Sequence, residues 1–184
     1  MDPFYVVEAL TPANAPKLLR LEPPAPVGIS FGKPIKMPKR ILAVFSSLEG
    51  LTSAGWLGNY FFLNETLIDE LVSIGEVQFQ QFPVSVCDNN KECIDGPIKI
   101  IVPLNNIACM LTRNSDFDTD ELDPTDITFV RHLAIEYDDI PKDRHLFRIA
   151  ELPSALLASA QLVGKFTSLG VRGIKFCSLD EFQI

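Results

Sequence analysis

Motifs that mark the large enzyme classes are missing from this sequence. No serine lies in a Gly-x-Ser-x-Gly turn, and the glycine patterns of phosphate-binding loops and dinucleotide-binding folds do not occur. The chain has only two histidines and no Cys-x-x-Cys pair, so the closely spaced ligands of a zinc site are missing too. We therefore expect no enzymatic activity, no metal and no cofactor.

Long apolar runs are also missing, and this bears on location. No stretch of 18 consecutive apolar residues occurs, so no membrane span is expected. The opening MDPFYVVEALTP lacks a basic start followed by an apolar stretch, so we expect no signal peptide. These features favour a cytoplasmic protein whose four cysteines are reduced. A disulfide between Cys87 and Cys93, which lie close in sequence, is the alternative.

Positive charge is scarce relative to negative charge. The formal net charge is -8, which argues against nucleic-acid binding because phosphates are bound by Lys and Arg. Residues 114–143 contain ten acidic and two basic residues, and the remainder of the chain is balanced. The whole imbalance therefore lies in thirty residues. It is either a solvated segment, paired in part with the basic N-terminal region, or a docking face for a basic protein.

The chain has enough apolar residues for one folded domain. Its 184 residues are 47% hydrophobic, which is sufficient for a core and argues against intrinsic disorder. Eight of the fourteen prolines fall within the first 40 residues. Because proline interrupts helices and central strands, we predict an extended arm over 1–40, with one short strand at 5–10. Residues 41–184 form the predicted domain.

Two segments have the pattern of amphipathic helices. The first covers about 65–74, with Asn64 as its N-cap and Gly75 as a left-handed stop. The second covers about 154–169, opens at Pro153 and Ser154, and ends at Gly170. In both, apolar residues recur at spacings of three and four.

The remaining patterned segments predict strands. These segments are 40–48, 76–86, 98–113, 127–137, 145–151 and 174–179, with a turn at 95–97 (Asp-Gly-Pro) and a bulge near 80–81. Strands outnumber helices and no strand–helix–strand alternation is sustained. The predicted class is α+β, with a largely antiparallel sheet and two main helices packed on it.

The candidate binding residues are carboxylates in the segment DFDTDELDPTD. Three aspartates match positions 1, 3 and 5 of a calcium loop, but the glycine and the final glutamate that the loop requires are replaced by Glu121 and Ile127. We therefore interpret the segment as a protein-binding surface. The candidates are Asp116, Asp118, Asp120, Glu121, Asp123 and Asp126.

The order of elements resembles a known family. A helix ending in glycine, the stretch DGPIKIIVPLNNIACM followed by LTRNSDF, HLFRIAELPSALLASAQL and a closing SLGVRGIKF together resemble bacterial polymorphic-toxin immunity family eleven, formerly a domain of unknown function. The resemblance covers roughly 48–182. Its closing Gly-x-x-Gly-x-x-Phe motif corresponds here to Gly170, Gly173 and Phe176, which we expect to be structural.

The resemblance implies a small cytoplasmic antitoxin that binds and neutralises a cognate, basic toxin by occlusion and has no enzymatic activity. Two alternatives from other classes stay open. One is a small enzyme that uses Cys109 or Cys177 with His132 or His145, and the other is a structural or assembly subunit.

Overall fold

The computed structural model describes residues 4–10, 16–22, 34–57, 60–76, 78–90, 92–104 and 106–183. These contain two α-helices, α1 (Glu65–Ser73) and α2 (Ala160–Ser168), and one short 3-10 helix at Tyr137–Asp139. The strands, in chain order, are β1 (Phe4–Ala9), β2 (Leu18–Glu22), β3 (Ile41–Phe45), β4 (Ala54–Leu57), β5 (Tyr60–Asn64), β6 (Phe79–Cys87), β7 (Cys93–Pro103), β8 (Asp116–Thr119), β9 (Ile127–His132), β10 (Leu146–Arg148), β11 (Leu156–Ser159) and β12 (Ile174–Ser178).

The strands form three sheets. A six-stranded sheet has the order β2-β3-β6-β7-β5-β4, a four-stranded sheet has the order β10-β11-β1-β12, and β8 pairs only with β9. The β3–β6 pair is parallel and every other pair of named strands in the described residues is antiparallel. The predicted α+β class with a largely antiparallel sheet and two main helices is confirmed.

The helices join the two large sheets. One apolar cluster contains Leu67 and Leu71 of α1 and Leu162 and Phe166 of α2, together with residues from both sheets. A second cluster lies under the four-stranded sheet and contacts the segment after β7. A third covers the opposite face of the six-stranded sheet. Alternate residues of β5 supply the two clusters on the faces of this sheet, as the period of a β-strand requires.

The first helix forms as its sequence predicts. Asn64 has an extended backbone, and its side chain accepts a hydrogen bond from the Leu67 N–H at 3.1 Å. This bond satisfies one of the N–H groups that the first turn leaves without a partner. Gly75 follows the helix with a φ of +96°, so the predicted left-handed stop is confirmed.

The second helix is shorter than predicted, because 156–159 is a strand. Leu157 packs in the cluster under the four-stranded sheet, whereas Leu156 and Ala158 pack in the cluster that holds the helices. This alternation has the period of a strand, and β11 pairs with β10 and β1 on its two sides. The apolar spacing of this stretch fits a helix equally well, so tertiary pairing decided its conformation. Ser159 is the N-cap, so the helix begins after it and not at Pro153 and Ser154 as predicted.

The predicted turn at 95–97 is also wrong in part. Asp95, Gly96 and Pro97 lie inside β7, where Gly96 has a φ of +69°. The register between β6 and β7 shifts between Val84 and Val86, which lie opposite this stretch. The turn chemistry therefore produces a strand irregularity rather than a chain reversal. The extra residues belong to β7, because 95–97 face the single residue Ser85 of β6. The register of β6 is continuous from Phe79 to Val84, so the bulge predicted near 80–81 is wrong.

The Pro-rich first 40 residues contribute two strands to the sheets. β1, which confirms the short strand predicted at 5–10, lies between β11 and β12, and its Val6 and Val7 are buried. β2 pairs with β3 at one edge of the six-stranded sheet. Residues 11–15 and 23–33 of the predicted arm lie outside the described residues.

Candidate functional site

All six predicted acidic candidates lie on one β-hairpin, formed by β8, β9 and the loop 120–126, which we call the acidic hairpin. Phe117 and Ile127 are partly buried and pack against the core cluster beneath it. The hairpin therefore has an apolar base that fixes it to the body. Its outward groups are carboxylates, and residues 116–132 carry six acidic side chains and one basic side chain.

The one basic residue of the hairpin neutralises two of these carboxylates. The Arg131 guanidinium donates to Asp116 at 2.9 Å and to Asp118 at 2.5 Å across the strand pair. The hydrogen bond that Arg131 donates to Asp118 is the main reason why the pKa of Arg131 is raised. All three side chains are well exposed, so this pairing orders the hairpin surface but adds little stability. The free negative charge is consequently concentrated toward the tip.

At the tip, two further carboxylates order the loop. Asp120 accepts hydrogen bonds from the N–H groups of Leu122 and Asp123, at 2.7 and 3.1 Å. Asp123 accepts from both the hydroxyl and the N–H of Thr125, which lowers its pKa. Between these turns the Leu122 side chain is 96% exposed. The loop therefore exposes the apolar side chain of Leu122 to solvent among negatively charged carboxylates.

A cavity of about 860 Å³ lies between the hairpin and residues 150–154. Its apolar lining includes Phe117 and Leu152, and its acidic lining consists of Asp123, Asp126 and Glu151. Oε2 of Glu151 is buried and has no hydrogen-bond partner in the described part of the chain. The concave side of the hairpin is therefore acidic as well.

The residues predicted to be structural lie in the connections between a helix and the strand that follows it. Gly170 and Gly173 have φ values of +66° and +97°. A Cβ on Gly173 would overlap the backbone oxygen of Ala54, so this position needs glycine both for its backbone conformation and for its close approach to β4. Phe176 is partly buried against the cluster that holds the helices. These three positions and Gly75 lie where a helix connects to a strand, at two places in the chain.

A buried carboxylate in the first of these connections was not predicted from the sequence. Glu76 directly follows Gly75 and is 1% exposed. Its carboxylate accepts hydrogen bonds from the N–H groups of His145, Leu146 and Gln78, and Arg144 lies 3.7 Å away. No local pattern distinguishes Glu76 from a surface acid, because its partners come from a segment about 70 residues later.

His145 connects this carboxylate to Ser159. The His145 ring Nδ1 lies 2.9 Å from Oγ of Ser159, and the Ser159 N–H donates to the His145 carbonyl at 3.0 Å. Both residues are more than nine-tenths buried and both line a cavity of about 210 Å³. A histidine and a serine that are 14 residues apart thus meet beside a small cavity.

The cysteines considered as nucleophiles lie in unfavourable surroundings. Burial is the main cause that raises the pKa of Cys109 to about 12, and the charges of Glu151 and Asp139 add to it. Burial also raises the pKa of Cys177. A thiol is a poor nucleophile while it is protonated, so neither group is activated at neutral pH. His132, the other candidate base, lies 3.9 Å from Asp180.

The expectation that all four cysteines are reduced is wrong. Cys87 and Cys93 form a disulfide across β6 and β7, at the end of the hairpin that these strands form. The strand register places the two residues opposite each other, with their Cα atoms 4.1 Å apart, which sequence spacing alone could not decide. Cys109 and Cys177 are free.

Within the described ranges, no helix is long and apolar enough to cross a membrane, and no group of three His, Cys, Asp or Glu side chains could hold a metal ion. Comparison with protein-family models and with curated proteins finds no match to this chain.

Proposed function

We propose that this protein is a binding protein that neutralises a basic protein partner, and that the acidic hairpin is its docking surface. The resemblance of its sequence to toxin immunity proteins suggests a cognate bacterial toxin as that partner, inhibited by occlusion. The observation that carries the proposal is the preordered hairpin tip. Its carboxylates and its exposed Leu122 are held in place before any partner binds.

The charges on the hairpin favour a basic partner. Paired strands and the Arg131 bridges fix the base of the hairpin, so the unneutralised carboxylates of Glu121 and Asp126 have a defined position. An acidic face of this kind attracts a basic face during diffusion, and this accelerates association more than it strengthens the final complex. A nuclease, whose surface is basic where it holds phosphates, has the required complementarity.

The proposal is tested first in cells, with the protein encoded by the adjacent gene as the probe. That protein is expressed in a bacterial host with and without this chain, and growth is measured. We expect growth arrest with the adjacent protein alone and rescue when both are present. A harmless adjacent protein, or equal killing in both cultures, would contradict the antitoxin function.

A second experiment tests the surface. Asp118, Asp120, Glu121 and Asp123 are changed together to Asn or Gln, which keeps a side-chain oxygen to accept the loop hydrogen bonds but removes the charge. We expect slower association with the adjacent gene's product and a weaker dependence of the association rate on salt. The matched control removes four exposed acids elsewhere, by Glu49→Gln, Asp69→Asn, Glu92→Gln and Glu181→Gln. An equal effect in the control would assign the rate to net charge rather than to the hairpin.

A further inference from the structure

The junction between β11 and α2 places a serine hydroxyl beside a histidine ring. Ser159 is the last residue of β11 and the N-cap of α2, with an extended backbone at φ -68° and ψ 155°. Its Oγ accepts a hydrogen bond from the Leu162 N–H at 3.3 Å. Because this bond uses a lone pair of Oγ, the hydroxyl hydrogen stays available for donation to Nδ1 of His145 at 2.9 Å.

The position of His145 is set by its main chain. Its N–H donates to the buried Glu76 carboxylate at 2.9 Å, and its carbonyl accepts from the Ser159 N–H at 3.0 Å. Within the described residues, its ring has a hydrogen-bond partner only at Nδ1. When Nδ1 accepts the serine hydrogen, the ring proton lies on Nε2, which is the tautomer in which Nδ1 can act as a base.

The pair opens onto a cavity rather than onto packed core. About 210 Å³ of space is bounded by both residues, by the aromatic rings of Phe4 and Tyr137, and by Gln161 in the first turn of α2. Lys142 and Arg144 also line it. The N–H group of Gln161 belongs to the first helical turn, which leaves such groups without an intrahelical partner. Gln161 lies two residues after the serine, so its N–H can stabilise negative charge that develops next to it.

We infer that Ser159 and His145 form a nucleophilic site that accepts the acyl group of small esters. This activity is separate from the proposed docking function of the acidic hairpin. Oγ of Ser159 bonds to the carbonyl carbon while its proton passes to Nδ1 of His145, and the carbonyl electron pair moves onto the oxygen. When the ester C–O bond breaks, His145 returns the proton to the leaving alkoxide. Water then attacks the acyl carbon and gives one proton to Nδ1 of His145. When the bond between that carbon and Oγ breaks, the proton passes to Oγ, so the carboxylic acid is released and Ser159 is restored.

The size of the cavity limits the substrate to a small acyl group, such as acetyl or propionyl. Glu76 is a positioning residue here, because it contacts the main chain of His145 rather than its ring. A positioned base contributes roughly 10²- to 10⁴-fold to such a reaction. The remaining rate enhancement must come from the position of Ser159 at the N-terminus of α2.

The test uses the whole protein and two probes, p-nitrophenyl acetate and a small alkyl fluorophosphonate. Intact-mass measurement and peptide mapping follow the adduct. We expect one adduct per chain, on Ser159, and loss of that adduct in Ser159→Asn. Asparagine is also a good N-cap, so this variant keeps the helix while it removes the nucleophile. His145→Gln should reduce the rate of labelling at least about 10²-fold.

Two controls distinguish a loss of reactivity from a loss of folded structure. Ser168→Ala removes an exposed serine that has no histidine partner and should label at the wild-type rate. Thermal unfolding should show that Ser159→Asn and His145→Gln remain folded at the assay temperature. If the native protein carries no adduct on Ser159, or carries as much after urea denaturation or in folded His145→Gln, the nucleophilic site is refuted. None of these outcomes depends on the adjacent gene's product, so the docking proposal can fail or succeed independently.

Discussion

The Glu76 carboxylate accepts a hydrogen bond from the backbone N–H of His145, 69 residues later in the chain, at 2.9 Å. The bond crosses from the end of the first helix to the start of β10, so it connects the two sheet systems through a buried charge. The same carboxylate also accepts from Leu146 and Gln78. A charge that is 1% exposed is tolerated here because several donors replace its water.

Replacement of Glu76 by glutamine tests this junction. Glu76→Gln keeps one acceptor oxygen but buries an NH2 group among donors, so we expect a loss of about 1–3 kcal/mol in the free energy of unfolding. Urea denaturation followed by circular dichroism measures the change. Glu121→Gln, at an exposed position on the hairpin, is the matched control and should change stability by less than about 0.5 kcal/mol. Equal stabilities for the two variants would contradict the structural role of Glu76.

Replacement of glycine by alanine should have opposite effects on stability at two positions, Gly173 and Gly164. Gly173→Ala places a Cβ against the Ala54 oxygen at a φ of +97°, so it should destabilise strongly, by more than about 2 kcal/mol. Gly164 lies within α2, and a Cβ there meets nothing within 4 Å. Gly164→Ala should therefore stabilise the chain by about 0.5–1 kcal/mol. Midpoints of chemical denaturation distinguish the two signs, and a tolerated Gly173→Ala would contradict the close approach.

Replacement of the exposed leucine at the hairpin tip should weaken binding without changing the stability of the fold. Leu122→Ala removes a side chain that is 96% exposed, so the melting temperature should not change. If Leu122 enters an apolar pocket of the partner, dissociation should accelerate by about tenfold, because interface contacts affect mainly the off-rate. Surface plasmon resonance with the adjacent gene's product measures this. Leu169→Ala, at a 45% exposed leucine outside the acidic hairpin, should leave the off-rate unchanged.

The Cys109 thiol should give stability a dependence on alkaline pH. Its pKa in the folded chain is raised to about 12 from 9.0, chiefly by burial. Below pH 9 the thiol is protonated in both states, and its contribution to stability is fully present. As the pH rises from 9 toward 12, the unfolded chain ionises first, so this contribution is lost.

Comparison with Cys109→Ala isolates that dependence. Unfolding free energies of the two proteins, measured from pH 8 to pH 11, should converge as the pH rises. Native Cys109 should also react slowly with a thiol reagent at pH 8 and rapidly in urea. Fast labelling of the folded protein would contradict the raised pKa and reopen the cysteine-based alternative.

Reduction of the disulfide between Cys87 and Cys93 should lower the stability of the protein. Cys87 and Cys93 close a loop of only a few residues, for which chain entropy gives a stabilisation of about 2 kcal/mol. Dithiothreitol should lower the free energy of unfolding by that order, and Cys87→Ser with Cys93→Ser should make the protein insensitive to dithiothreitol. Mass measurement under non-reducing conditions counts the free thiols. Four free thiols in the untreated protein would refute the bridge.

Local signals in the sequence determined the elements that depend on neighbouring residues. Asn64 and Gly75 mark the two ends of α1 because capping and a left-handed stop are properties of a few adjacent residues. The α+β class followed from the number of strand-like runs. The six candidate carboxylates are close together in the sequence, but β8 was not among the predicted strands, so their placement on one hairpin came from the structure.

Only the tertiary structure decided the features that join distant segments. The stretch 156–159 fits a helix or a strand by itself, and pairing with β1 and β10 made it a strand. The same pairing moved the start of α2 to Ser159 and brought that hydroxyl to the ring of His145. Burial gave Glu76 its role and Cys109 its raised pKa. Hydrogen bonding and desolvation act between atoms that are close in space, and one-dimensional spacing does not specify which distant residues will meet.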